Sequence, residues 1–201
     1  MKDRPVTDGP AGHRHLPPGA RIVVSEVEIE AALARLAREI TARLGERHPI
    51  VMTVLHGGLI FAGHLLVRLP FPLDCDYVHV GRYGQATSGG ELRWISGPTL
   101  DVAGRSVLLV DDILDEGVTL AAIRRRLLDL GAREVLLAAF AWKELPAGRP
   151  IEPDFAGVRV PNEFVCGFGM DADGGWRNLP AICVLPQHAA GATGGGRPTG
   201  A

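Results

Sequence analysis

Apolar and polar residues follow two periods along this chain, and these periods predict a succession of helices and strands. Apolar residues recur at three- and four-residue spacing behind Ser25, at Ile29, Leu33, Leu36, Ile40 and Leu44. This spacing predicts an amphipathic helix, and Ser25 with Glu28 forms the Ser-x-x-Glu pattern of a capping box at its start. The continuous apolar run Ile50–Leu55 predicts a buried strand.

Further elements follow by the same criteria. The predicted helices are residues 59–69, ended by Pro70 and Pro72, and about 117–130, with Gly131 as the C-terminal cap. The predicted strands are residues 74–81, 91–95 as the return strand of a hairpin arm, 106–110, 134–141, 163–168 and 181–185. Strands that alternate with helices predict an α/β fold with an open, mostly parallel sheet and helices on both faces. Residues 1–20 and 188–201, which lack this periodicity, are predicted to be disordered tails.

The segment 107–119, VLLVDDILDEGVT, is the most informative part of the chain. Its four apolar residues predict a buried strand, after which Asp111 and Asp112 lead through Gly117 into a helix. A helix N-terminus offers free backbone N–H groups and a positive dipole end to a phosphate. Carboxylates at a strand end can accept hydrogen bonds from sugar hydroxyls or hold a metal ion that the ligand also binds. We therefore predict a sugar-phosphate site here.

Other segments carry residues suited to ligands. The small residues of His56-Gly57-Gly58 would let backbone N–H groups approach an anion, although a tight turn without a ligand has the same sequence. Lys143 follows a predicted strand, and Phe164 and Asp171 lie in the segment 161–171; alone, they could be a solvated charge, a core ring and a loop acid. Ligands of open α/β sheets bind beyond the carboxyl ends of the strands, so these segments are predicted to share one rim with residues 111–119.

These segments together resemble a known family. The run VLLVDDILDEGVTLAAI resembles the phosphoribosyl-pyrophosphate (PRPP) motif of type I phosphoribosyltransferases, and about residues 50–185 resemble a hypoxanthine-guanine phosphoribosyltransferase. The resemblance implies the type I phosphoribosyltransferase fold, with a small hood and a flexible hairpin loop. The domain would span residues 21–187, with a core at about 50–145 and a hood from the N-terminal segment and about 150–187. Prenyl-diphosphate enzymes also carry Asp-Asp-x-x-Asp, but on helices, whereas residues 107–110 are β-prone.

The implied reaction transfers a 5-phosphoribosyl group from PRPP to N9 of hypoxanthine or guanine and releases pyrophosphate, with Mg²⁺ as cofactor. By resemblance, Asp115 would face the purine N7 as general base or orienting acceptor. Lys143 would donate to the 6-oxo group, which an ammonium suits better than the amino group of adenine. Tyr83 would begin a loop that closes over the reacting centre and excludes water.

The other implied roles fall into three sets. PRPP and pyrophosphate would be bound by Asp111, Asp112, Asp115, Glu116, Gly117, Val118, Thr119, His56, Gly57, Gly58 and Arg177. The purine would be stacked by Phe164 and contacted by Val165, Lys143 and Asp171. Magnesium would be held by Asp171, Asp111 and Asp112, directly or through waters.

Four positions depart from the family's common pattern. His56 replaces a lysine, Arg82 a serine, Asp111 a glutamate, and Glu116 a threonine or serine. The replacement of lysine by His56 leaves Gly57 and Gly58 able to bring their backbone N–H groups to an anion. Glutamate would repel a phosphate if it pointed inward, so we predict that Glu116 points outward and contributes only its backbone. The sequence leaves open whether the His56-Gly57 peptide is cis.

Composition narrows the function further. The 201 residues, 46% apolar and 22% charged, suit one domain, and the net charge of −2 argues against non-specific nucleic-acid binding. The odd number of cysteines, at Cys75, Cys166 and Cys183, matches no zinc pattern and predicts buried thiols in a reducing cytoplasm. No apolar run suggests a signal peptide or membrane span, so we expect a cytoplasmic protein with no membrane partner.

Two other functions stay open at this stage. A PRPP-binding regulator with the same fold would lack transferase activity, but it would not need the base pocket that Lys143, Phe164, Asp171 and Arg177 imply. A xanthine-preferring transferase also stays open, because the 2-position of the purine is read largely by backbone. The resemblance also implies a homodimer or homotetramer.

Overall fold

The computed structural model describes residues 16–82, 92–143, 145 and 148–186. Within these residues there are three helices: α1 Glu26–Leu44, α2 Gly58–Leu66 and α3 Val118–Asp129. The strands are β1 Arg21–Val24, β2 Ile50–Leu55, β3 Asp74–Arg82, β4 Leu92–Ser96, β5 Ser106–Leu114, β6 Glu134–Lys143, β7 Phe155–Val160, β8 Val165–Cys166 and β9 Ile182–Val184. None of the three helices has the length and apolar character needed to cross a bilayer.

The central sheet has six strands in the order β4-β3-β2-β5-β6-β7. All neighbours are parallel except β3 and β4, which form the antiparallel arm. The predicted α/β fold with a mostly parallel sheet is therefore confirmed. A separate antiparallel sheet, in the order β1-β9-β8, joins the N-terminal segment to the C-terminal part of the described chain. The division into core and hood stays a proposal, which this second sheet supports.

Alternation along the central strands divides the interior into two cores. Leu108 and Val110 of β5 face one core, to which α1 and α2 contribute. Val107 and Leu109 of the same strand face the other core, which α3 covers through Leu120, Ile123 and Leu127. Because successive side chains of a strand point to opposite faces, a strand with helices on both sides must be apolar throughout. The apolar runs of β2 and β5 follow from this position.

The first helix agrees with its sequence prediction in detail. Ser25 is its N-cap and forms both bonds of the capping box with Glu28. The five residues predicted to form its apolar face are all buried. They meet the sheet and the second helix, so α1 forms one outer layer of the fold.

The structure corrects several boundaries. Strand β5 does not end at Val110 but runs on through the two acids to Leu114, because it stays paired with β6 up to Leu114 and Trp142. Helix α2 ends at Leu66, three residues before its predicted end, and β8 has only two of the six residues predicted for its strand. Strands β1 and β7 were not predicted. Of the predicted disordered tails 1–20 and 188–201, residues 1–15 and 188–201 lie outside the described residues, whereas residues 16–20 are described and contain a turn, in which the Ala20 amide donates to the Pro17 carbonyl at 3.0 Å. Residues 83–91, the predicted hairpin tip, also lie outside the described residues.

The cysteines agree with the prediction only in part. Cys166 and Cys183 are buried and unpaired, but Cys75 is exposed, so the prediction of three buried thiols is wrong. Along β3 the buried side chains are Asp76 and Val78, and alternation turns Cys75 to the opposite, exposed face.

We predict that Asp76 anchors the chain between β4 and β5. Its buried carboxylate accepts hydrogen bonds from the amides of Tyr77, Thr99 and Leu100 and from the Thr99 hydroxyl. Asp76→Ala leaves these donors unsatisfied, so the free energy of unfolding in urea should fall by about 2–3 kcal/mol. The exposed Asp101, which accepts from the Ala103 amide, is the control, and Asp101→Ala should cost less than about 1 kcal/mol. Equal losses would show that Asp76 has no special role.

Candidate active site

A cavity of about 330 Å³ opens beyond the carboxyl ends of β2, β5 and β6. It is lined by Val54, Leu55, Gly57, Asp111, Asp112, Ile113, Asp115, Lys143, Phe164, Val165, Met170, Asp171 and Arg177. Nine of these are predicted site residues, and they come from segments that lie up to 120 residues apart in the chain. His56, Gly58, Glu116, Gly117, Val118 and Thr119 do not line this cavity, and Tyr83 lies outside the described residues.

Lys143 and Asp115 form an ion pair at the rim. Lys143 Nζ donates to Asp115 Oδ2 at 2.7 Å. The side chain of Lys143 is only 12% exposed, whereas that of Asp115 is 46% exposed. Parallel pairing of Leu114 with Trp142 brings the two following residues side by side. Because Asp115 is half exposed, the pair contributes about 1 kcal/mol or less. The nearly buried Lys143 could leave Asp115 only for another acceptor, such as an oxygen of a ligand.

Asp111 and Asp112 bring two further carboxyl groups to the cavity. The Asp112 amide donates to Asp111 Oδ1 at 3.0 Å. Burial raises the pKa of both carboxyl groups above the ordinary range, and the neighbouring Asp112 raises that of Asp111 further. The positive charge of Arg177 lowers both pKa values, but not enough to offset burial. The pair is therefore suited to a cation or to hydroxyl donors.

Asp171 and Arg177 face these acids as a second ion pair. Arg177 Nη2 lies 2.6 Å from Asp171 Oδ1, and its Nη1 donates to the Gly169 carbonyl at 2.6 Å. The other Asp171 oxygen accepts from the Gly174 amide at 2.9 Å. The residue predicted to hold a metal and the residue predicted to bind pyrophosphate thus contact each other. Both side chains belong to one loop and form hydrogen bonds with backbone groups of that loop.

Close-packed glycine backbones lie beneath the cavity, and among them Gly57 lines it. A Cβ on Gly57 would overlap the Asp112 carboxylate, and one on Gly58 would stand 2.7 Å from the Val110 carbonyl oxygen. A Cβ on Gly169 would overlap the Gly57 carbonyl oxygen. Since only glycine permits such close approach, these residues are held by packing as well as by any ligand role. Sequence analysis missed Gly169, although the repeat Gly167-Phe168-Gly169 was a signal for it.

The loop before α2 differs from the expectation in its details. The Leu55–His56 peptide is cis, one bond before the position considered from sequence. The ring of His56 lies against that of His79, with centroids 4.5 Å apart. Gly57 has right-handed helical dihedrals and is the N-cap of α2. The backbone of Gly57, rather than the His56 side chain, therefore faces the cavity.

The loop before α3 has the conformation that its glycine requires. Gly117 has a φ of +76° and is the N-cap of α3. A Cβ there would stand 3.0 Å from Ile151 Cγ2 and 3.2 Å from Leu114 Cδ1. Glu116 is exposed, consistent with its predicted outward orientation. Phosphate binding at this helix start stays a prediction.

Phe164 and Val165 form one wall of the cavity. Phe164 is exposed although it is large and apolar, and its carbonyl accepts from the Leu185 amide at 3.0 Å. Val165 is buried and begins β8. Phe168, by contrast, packs against Phe140 in the core, with centroids 4.4 Å apart. An exposed ring fixed at a cavity wall can stack on a flat ligand.

The acids can be tested for their fit to magnesium. Among the described residues, no three His, Cys, Asp or Glu side chains form a cluster that could hold an ion, so Asp111, Asp112 and Asp171 do not constitute a three-ligand site. Magnesium usually takes one or two carboxylates and completes its octahedron with waters and phosphate oxygens. The carboxylate oxygens of Asp111 and Asp112 are hard donors, and burial leaves their negative charge with little to offset it. They therefore fit that kind of site.

Comparisons with known proteins agree with this geometry. A model of the phosphoribosyl transferase domain matches residues 23–173. The hypoxanthine-guanine phosphoribosyltransferase of Bacillus subtilis is 34% identical over 168 residues, which cover 82% of this chain and 92% of that protein. The bifunctional protein TilS/HprT of Listeria innocua is 39% identical over 168 residues, and there the chain spans only 26% of the relative's length.

Solved structures show the same likeness. A hypoxanthine phosphoribosyltransferase from Staphylococcus aureus has a TM-score of 0.77 at 28% identity, covering 83% of this chain and 91% of that one. A hypoxanthine phosphoribosyltransferase variant from Trypanosoma cruzi, complexed with the product IMP, has a TM-score of 0.77 at 26% identity. It covers 86% of this chain and 94% of that one.

We predict that the floor of the cavity depends on glycine at position 169. Gly169 has a φ of +106°, and an added Cβ would overlap the Gly57 carbonyl. Gly169→Ala should therefore lower the free energy of unfolding by more than about 2 kcal/mol. Gly174 also has a positive φ, +79°, but open space around it, so Gly174→Ala should cost only about 1 kcal/mol. Equal costs in urea unfolding would contradict the close packing.

Proposed function

The chain belongs to the hypoxanthine-guanine phosphoribosyltransferase family, and on this premise we propose that it is a purine salvage transferase. It would convert hypoxanthine or guanine and PRPP to IMP or GMP and pyrophosphate. The observation that carries the proposal is the Lys143–Asp115 pair, 2.7 Å apart, in one cavity with the Phe164 ring and the Asp111-Asp112 acids. An ammonium and a carboxylate side by side match the 6-oxo and N7 edge of such a purine.

The purine would be aligned by three contacts. Phe164 would stack on the base, and Lys143 would leave Asp115 to donate to the 6-oxo oxygen. Asp115 would then accept a proton from N7 as N9 attacks the ribose C1. The bond from C1 to pyrophosphate breaks as the N9 bond forms, so the proton ends on Asp115 and the electron pair on pyrophosphate.

The ribose phosphate would occupy the centre of the site. The 5′-phosphate would accept bonds from backbone N–H groups of residues 115–119 at the start of α3, and Glu116 would contribute only its backbone. Asp111 and Asp112 would bind the ribose hydroxyls directly or through a metal ion. Fixing the sugar in this way holds C1 in line with N9 and the leaving group.

Pyrophosphate would leave toward the loop of Gly57 and Gly58. Their backbone, and Arg177 once it turns from Asp171, would offset the charge that builds on the leaving oxygen. When bound, Mg²⁺ would offset further charge on the pyrophosphate oxygens, held by Asp111, Asp112 or Asp171. The closing loop that begins at Tyr83 lies outside the described residues and stays a prediction. We further propose a cytoplasmic location and a homodimer or homotetramer.

The function is tested by an absorbance assay with PRPP and Mg²⁺ against hypoxanthine, guanine, xanthine and adenine in parallel. We expect turnover of hypoxanthine and guanine and none of adenine, because Lys143 cannot accept from a 6-amino group. Turnover of xanthine alone would favour the xanthine-preferring enzyme. PRPP binding without turnover of any base would overturn the proposal in favour of a regulator.

Substitutions of Asp115 and Lys143 test the role of each residue separately. Asp115→Asn removes the proton acceptor and should lower kcat by about 10²–10⁴-fold. Lys143→Ala removes a charged hydrogen bond to the base and should raise KM for hypoxanthine by about 10–100-fold. Arg68→Ala, which removes an arginine that follows α2 and pairs with Glu30 of α1, is the control and should change neither constant. Unchanged kinetics in both pair variants would contradict the assigned roles.

The outward orientation of Glu116 can be tested separately. Glu116→Gln keeps the shape and removes the charge, so KM for PRPP should change less than about twofold if the side chain points to solvent. A large gain in PRPP affinity would show that the glutamate faces the phosphate and repels it.

A further inference from the structure

The side chain of Arg149 is almost fully buried beside the Lys143–Asp115 pair. It lies in the connection between β6 and β7, and only 3% of its side chain is exposed. A charged side chain is rarely buried to this degree unless it is paired, because leaving water without partners is costly. The burial of Arg149 therefore calls for a specific set of contacts.

Those contacts are mainly to two backbone carbonyls. Arg149 Nη1 donates to the Leu114 carbonyl at 3.1 Å, and Nη2 donates to the Lys143 carbonyl. The guanidinium also lies 5.3 Å from the centre of the Trp142 ring. Among the described residues, Arg149 pairs with the carboxylate of Glu152, which is exposed and lies 3.9 Å from Arg149 Nε. Such an exposed partner offsets the guanidinium charge only weakly.

The two carbonyls lie where the chain leaves the sheet to form the site. Leu114 and Lys143 are the last residues of β5 and β6, and the pairing of these strands ends at Leu114 and Trp142. Leu114 directly precedes Asp115, and Lys143 carries the ammonium. One planar, rigid guanidinium thus spans the two backbones whose spacing sets the 2.7 Å contact between Lys143 Nζ and Asp115 Oδ2.

We propose that Arg149 is a positioning residue for the purine: it fixes the ends of β5 and β6 so that Lys143 and Asp115 meet the 6-oxo and N7 edge together. This proposal rests on the proposed function. It predicts that Arg149 acts through the pair and not through phosphate binding. Loss of the guanidinium should therefore weaken the purine contacts while KM for PRPP stays nearly constant.

Arg35 offers a matched control within the same chain. It also donates to two carbonyls through one guanidinium, from Nη2 to Ala156 O at 2.9 Å and to Gly157 O at 2.5 Å. It joins α1 to β7 and does not line the cavity. Arg35→Lys therefore measures the structural cost of removing such a contact without disturbing the Lys143–Asp115 pair.

The test compares Arg149→Lys, Arg149→Gln and Arg35→Lys in the full chain. For both Arg149 variants we expect kcat/KM for hypoxanthine to fall by about tenfold or more, with KM for PRPP changed less than about twofold. Arg35→Lys should lose less thermal stability, because the Arg35 side chain is 41% exposed, and should keep kcat/KM within about twofold of the wild type. Arg149 variants that fall no further in kcat/KM than Arg35→Lys would overturn the positioning role.

A double-mutant cycle supplies a readout that a purely structural role would not change. IMP binding is measured by calorimetry for Arg149→Lys, Lys143→Ala and the double variant. If Arg149 acts through Lys143, Arg149→Lys weakens binding about tenfold alone but less than about twofold in the Lys143→Ala background. Additive losses would overturn the proposal, as would failure of both Arg149 variants to fold. A wild type that turns over no purine would overturn the proposed function itself, and this proposal with it.

Discussion

The site depends on the close packing of glycine backbones against the end of β5. Gly58 meets the Val110 carbonyl, Gly57 meets the Asp112 carboxylate, and Gly169 meets the Gly57 carbonyl. These contacts bring the loop after β2 and the loop after β8 onto one strand end, where no side chain larger than hydrogen fits. The same packing buries Asp112 and partly buries Asp111, and loss of water around the two carboxyl groups is the main cause of their raised pKa values. Backbone geometry therefore sets both the shape and the charge of the cavity.

Two ion pairs hold four of the charged side chains that line the cavity, whereas Asp111 and Asp112 have no ion pair among those described. Lys143 pairs with Asp115, and Arg177 pairs with Asp171. Lys143 and Asp115 are both proposed to contact the purine. Asp171 is proposed to hold a metal ion, and Arg177 is proposed to contact pyrophosphate. A bound substrate would therefore replace one partner in each ion pair, and the charged side chains would already be in the cavity when it binds. Such an exchange costs little for Asp115, which is half exposed, and it gives the nearly buried Lys143 a new acceptor in place of the old one.

The sequence predicts the elements whose pattern is long and regular, and it misses those set by tertiary contacts. Helix α1 was predicted by its capping box and five apolar residues, and β2 by a continuous apolar run. Strand β7 was missed because Gly157 interrupts it, and glycine is there because a Cβ would overlap the Phe140 carbonyl. The family resemblance supplied most of the candidate site residues. It could not supply the Lys143–Asp115 pair, which needs the β5–β6 register, or Arg149, whose proline-rich neighbourhood resembles an ordinary connection.

The central claim is that this cavity binds a 6-oxopurine nucleotide by opening the Lys143–Asp115 pair. A crystal structure of the protein with IMP and magnesium pyrophosphate tests it most directly. The account predicts Lys143 Nζ within about 3 Å of the 6-oxo oxygen, with the base stacked on Phe164 and the 5′-phosphate at the start of α3. An IMP molecule bound elsewhere, or one bound in the cavity while Lys143 remains 2.7 Å from Asp115 and contacts no purine atom, would contradict it.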